Sequence, residues 1–191
     1  MSNSYEQTDI YNGGNGGGGG SGSFIALESL PIASCRNAAI IPNINNGGGA
    51  LLCTLYYSPI NWKIKALNCF IKQTGGGAIR LAVYSVTGVL LGITAPFIPN
   101  TIGFKSMPII AGAEGAALSK VEQIAETAYY LVIHGTSAAN GAQFYGSDVG
   151  TTFGPTPWIG WTKDNITLPP DTITGGSESS QRFYVGATGV L

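Results

Sequence analysis

The chain has 191 residues, of which 29 are Gly and only 19 are charged (9 Lys+Arg and 10 Asp+Glu). Average usage would place about 13 Gly and about 48 charged residues in such a length. The near-neutral balance excludes a basic nucleic-acid surface, and 44% hydrophobic residues exclude a charge-rich disordered chain.

Residues 1–23 stand apart. A polar stretch containing Tyr5, Ile10 and Tyr11 is followed by NGGNGGGGGSGS. That run cannot bury apolar surface, and Gly loses the most backbone entropy on ordering. The segment reads as a flexible or extended Gly-rich N-terminal arm: either a disordered tail, or an arm threaded along a neighbouring subunit with Tyr5, Ile10 and Tyr11 as its anchors. It has no basic start and no apolar core, so it is not a signal peptide. Synthesis in a cytoplasm is the expectation.

From Phe24 to Leu191 the signals are for strands, and these residues form one domain. ALLCTLYY (50–57) follows a Gly turn. Residues 62–72 alternate, with Trp62, Ile64 and Ala66 against Lys63 and Lys65. The phase then shifts to Leu67, Cys69 and Ile71. Such a shift inside a strand reads as a β-bulge or a bend between sheets. After GGG comes AIRLAVYSV (78–86), then a Thr87-Gly88 turn into VLLGI (89–93). Pro96, Pro99 and Pro108 exclude a long helix from the irregular middle. Residues 118–124 fit a strand or one helical turn. AYYLVIH (128–134), AQFYG (142–146) and QRFYVGA (181–187) read as strands. Residues 147–180 read as a long loop. The sum is an all-β antiparallel sandwich or jelly roll. Its wet faces carry Ala, Thr, Ser, Asn and Gly where charge is usual. That is a liability in free solution and points to surface meant for other subunits.

Chemistry finds little support in this pattern. Cys35, Cys53 and Cys69 are odd in number, without CxxC spacing, and two lie in apolar runs. They read as free buried thiols. His134 is the one histidine, at a strand end, and reads as a hydrogen-bonded group with no metal partners. The Gly triplets 47–49 and 75–77 lack the Lys-Ser/Thr of a phosphate loop and read as turns. Glu114, Glu122, Glu126, Asp148, Asp164, Asp171 and Glu178 fall mostly in expected loops, with no evident acid pair for glycoside cleavage. There is no GxSxG. No catalytic residue, metal or cofactor is expected. No apolar run reaches the length of a membrane helix.

One segment is more informative. Phe153, Trp158 and Trp161 fall in the expected loop close to Tyr145. Aromatic faces beside polar groups hold sugar rings, or pack against a neighbouring subunit. These four residues are the candidates for ligand or subunit contact.

The segment KIKALNCFIKQTGGGAIRLAVYSVTGVLLG (63–92), with AETAYYLVIHG (125–135), resembles β-sandwich modules of bacteriophage virion proteins, namely tail-fibre and capsid-decorating proteins. Similar patterns occur in some carbohydrate-binding modules. The resemblance implies a non-enzymatic role at the virion surface, contact with other virion proteins, and homo-oligomers, commonly trimers. It carries over no site residues. One domain with an arm and no repeats favours capsid decoration over a long fibre. A tail-fibre module that binds a receptor or a host surface glycan is the alternative.

Overall fold

The computed structural model describes residues 24–28, 38–40, 49–135, 142–148, 160–164, 166, 168–178 and 181–191. They form fourteen strands. In chain order these are β1 (Phe24–Glu28), β2 (Ala38–Ile40), β3 (Ala50–Tyr57), β4 (Trp62–Gln73), β5 (Ile79–Ser85), β6 (Leu90–Thr94) and β7 (Gly103–Ala111). Then come β8 (Val121–Gln123), β9 (Ala128–Gly135), β10 (Gln143–Asp148), β11 (Gly160–Asp164), β12 (Ser177–Glu178), β13 (Gln181–Phe183) and β14 (Val185–Val190). Every strand pairing among them is antiparallel. The fold is all-β.

The sheet runs β1-β14-β4-β7-β6-β5-β9-β3-β11-β12 without a break and curls into a half-barrel. β7 is the hinge between its halves. Its first part pairs with β4 as far as Pro108 opposite Ala66, and its last residues pair with β6. Pro108 has no N–H to give to a ladder, and it sits where one ladder hands over to the next. The three prolines exclude a helix here, as expected, but not a strand.

The phase shift in β4 is a bulge. β14 pairs Thr188 with Ala66 and Gly189 with Ile64, which leaves Lys65 without a partner. Before the bulge Trp62 and Ile64 point inward; after it Leu67, Cys69 and Ile71 do. A Cβ on Gly189 would lie 2.1 Å from the Lys63 carbonyl oxygen, so only glycine lets the strands approach so closely.

The main core fills the concave side. It joins Ile64, Leu67 and Ile71 of β4 with Leu81 and Val83 of β5 and Leu131 and Ile133 of β9. Each such side chain contributes about 1.5–3 kcal/mol on burial. The convex side of the second half is also buried. Leu51, Cys53, Ala82, Tyr84, Leu90 and Val132 lie under Ile173, with Ile166 packed against them. Ile166 and residues 168–173 lie over this face as a strap. Ile166 N–H donates to Gly49 O, Leu90 N–H to Asp171 O and Ile173 N–H to Gly88 O. The Tyr84 hydroxyl donates to Pro170 O at 2.8 Å.

Three expectations are corrected. Residues 147–180 are not one loop, because β11 pairs with β3 from Gly160 opposite Thr54 to Asp164 opposite Ala50. GWTKD is too short and polar to announce a strand, and the open edge of β3 decides the matter. Trp161 therefore lies on a strand. Asp148, Asp164 and Glu178 likewise lie on strands and not in loops, while Glu122 lies on β8, the strand that residues 118–124 allowed. Finally, QRFYVGA is two strands broken at Tyr184.

Candidate functional site

The bulge in β4 creates the site. Once Leu67, Cys69 and Ile71 face the core, Phe70 faces outward. β7 places Phe104 directly opposite Phe70. On the other side, β10 pairs with the end of β4 and presents Tyr145. The Phe70 and Tyr145 rings meet edge to face, with centroids 4.9 Å apart and planes at 85°. Such pairs are worth about 0.5–1.5 kcal/mol beyond their area. Tyr184 is buried against both, and its N–H donates to Tyr145 O at 2.9 Å. The result is an aromatic row across three strands, Phe104–Phe70–Tyr145.

One end of this row is open. Phe104 is 54% exposed and Ile102, at the entry to β7, is 67% exposed. Ser106, Pro108 and Ile110 continue the exposed side of β7. The charges nearby are of one sign on β4 itself. Lys63, Lys65 and Lys72 sit on its outward side, with Lys65 the most open. Glu122 of β8 stands opposite Lys63, while Lys65 and Lys72 have no acid opposite them among the described residues.

Of the four aromatic candidates read from the sequence, the structure places Tyr145 in this row. Trp161 lies on β11, opposite Cys53 and Glu178, in the other half of the sheet. Phe153 and Trp158 lie outside the described residues, as do Tyr5, Ile10, Tyr11 and Cys35. Sequence reasoning missed Phe70 and Phe104. The signal for Phe70 was in the phase shift, since a strand that turns Cys69 and Ile71 inward must turn Phe70 outward.

Cys53 and Cys69 are free and buried, and burial pushes both thiols up, Cys69 to about 12. Asp171 Oδ1 accepts the Glu114 N–H at 2.7 Å, which pins the strap to a turn. Among the described residues no three His, Cys, Asp or Glu side chains gather as metal ligands. None of the described helices is long and apolar enough to cross a membrane.

His134 ends β9 beneath the strap, fully buried. Its Nε2 lies 2.9 Å from the Ile166 carbonyl oxygen. A carbonyl only accepts, so Nε2 carries the proton, and the bare Nδ1 is buried without a partner. Burial first, and the Arg80 charge on the neighbouring strand, lower its pKa below the ordinary 6.5, against the opposing pull of the Ile166 bond. The unfolded chain therefore takes up a proton that the folded chain refuses. Stability is full above pH 6.5 and falls as pH drops through it, at up to about 1.4 kcal/mol per pH unit. Urea midpoints between pH 7 and 5 should show this slope, and His134→Leu should flatten it. An equal slope in that variant would remove the assignment.

No protein-family model matches the chain, and no curated protein matches it. Among solved structures, the chain is similar to the cysteine protease and lectin-like domains of Cwp84, a surface layer associated protein of Clostridium difficile. The identity is 11% and the TM-score 0.45, over 75% of this chain and 32% of that one. The chain thus spans about a third of the length of that neighbour.

Proposed function

We propose that the chain is a non-enzymatic structural protein of a viral particle, displayed on its surface and held there through the N-terminal arm. Capsid decoration is the favoured position. The observation that carries the contact role is the exposed end of the aromatic row on β7, Phe104 with Ile102 beside it. A folded domain with so little charge gains from covering such a side with protein. A stable contact of this kind buries about 1,600 Å², and repetition over a symmetric shell multiplies it. The particle itself rests on the resemblance of residues 63–92 and 125–135 to phage virion modules. Trimers and contacts with other virion proteins follow from the same resemblance. Deletion of residues 1–23 should abolish co-sedimentation with particles while the circular dichroism of the domain is retained. Normal incorporation of the truncated protein would overturn this reading.

The row also favours a second reading, a receptor- or carbohydrate-binding module of a tail fibre. The open ring of Phe104, at the exposed end of that row, offers an aromatic face on which a sugar can rest. A glycan array decides between the two. Binding that is lost in Phe104→Ala, Trp158→Ala or Trp161→Ala supports the second reading, and an array without signal removes it.

A further inference from the structure

The outer side of β4 and β7 brings together two features: an exposed apolar end, Phe104 with Ile102, and lysines with no acid opposite them among the described residues. Phe104 and Ile102 are more than half exposed. Lys65 and Lys72 flank the row, and Lys65 is freed by the bulge. The segment that matches this pairing is in the arm. Residues 5–11 read YEQTDIY, with three large apolar or aromatic side chains and two acids, and residues 1–23 contain no Lys or Arg.

We propose that residues 5–11 dock on the Phe104–Phe70–Tyr145 row of their own copy, with Glu6 or Asp9 facing Lys65 or Lys72. Reach permits this. The arm joins the sheet at Phe24, which pairs with Val190 at the β1 edge. From β1 to β7 is three strand spacings, about 14 Å, and the register sets Phe24 level with Lys63, about 23 Å along β4 from Phe70, so the row lies about 27 Å away. A flexible Gly/Ser chain as long as residues 12–23 spans roughly 20 Å on average and about 40 Å at full stretch. A tether of that length holds the segment at an effective concentration of order millimolar, far above that of a second copy in dilute solution. Gly and Ser suit such a tether because they make no competing contacts. The inference rests on the arm-anchor part of the reading above and not on the particle.

The test uses the full-length purified protein. A zero-length carbodiimide cross-link, mapped by mass spectrometry, should join Glu6 or Asp9 to Lys65 or Lys72. A mixture of light and heavy isotope-labelled protein should show these links within one copy. Chymotrypsin should cut after Tyr5 and Tyr11 about tenfold faster in Phe104→Glu, the change that the loss of about 1.4 kcal/mol of contact gives. Lys65→Glu, at an exposed bulge position, should act in the same direction and serves if Phe104→Glu fails to fold. Absence of these cross-links together with equal cleavage rates overturns the proposal. Links found only between copies overturn the assignment to the chain's own face. Particle attachment is measured separately, so either reading can fail alone.

Discussion

Trp62→Ala is expected to destabilise the fold by about 3–5 kcal/mol, the cost of deleting a buried indole. Trp62 opens β4 and is 2% exposed. Its Nε1–H donates to Ser58 Oγ at 3.1 Å, and Ser58 Oγ in turn donates to Ile60 O at 2.8 Å. Ser58 is itself fully buried and also anchors the turn after β8, accepting the Glu126 N–H and donating to Thr127 O. The substitution therefore opens a cavity and loosens the β3–β4 connection together. Most domains have only about 5–15 kcal/mol in total, so the urea midpoint should fall by a large fraction of its value. Trp62→Phe retains most of the apolar area and loses only the hydrogen bond, at about 1–2 kcal/mol. A loss under about 1 kcal/mol for the alanine variant would contradict the packing described.

Gly49→Ala is expected to cost about 3 kcal/mol or more, a large effect for one methyl group. A Cβ at this position would lie 2.3 Å from both the Gly135 and the Ile166 carbonyl oxygens, and 3.1 Å from His134 Nε2. The first two are backbone atoms and cannot swing aside. Either β3 parts from β9 or the strap lifts. If the strap lifts, the Ile166 carbonyl leaves His134, water reaches the ring, and its titration moves back toward 6.5. The histidine C–H proton resonances followed against pH would report this directly. A variant as stable as the parent, with an unmoved histidine, would show that the close approach does not exist.

Much of the strand pattern was legible in the sequence. ALLCTLYY and AYYLVIH are long, apolar and bounded by turn residues, and they pair with each other along their whole length as β3 and β9. The bulge was legible because one extra residue reverses which side chains are apolar. β7 and β11 were not, because what makes them strands lies on their partners: β4 and β6 for one, the edge of β3 for the other. The strap was hidden for the same reason. Ile166 and Ile173 carry no period, and only the convex side of β5, β9 and β3 shows why they are apolar. The site was half legible. Tyr145 stood out as an aromatic near others in sequence, but its true neighbours come from two distant strands brought together by register.

The strap has one more consequence. Its hydrogen bonds reach Gly49 ahead of β3, Gly88 and Leu90 at the start of β6, and Glu114 between β7 and β8. No ladder joins β3 directly to β6, so the strap acts as a cross-stitch between strands that are not neighbours. A local opening at one of these points is resisted by the others, which ties the second half of the sheet into one cooperative unit.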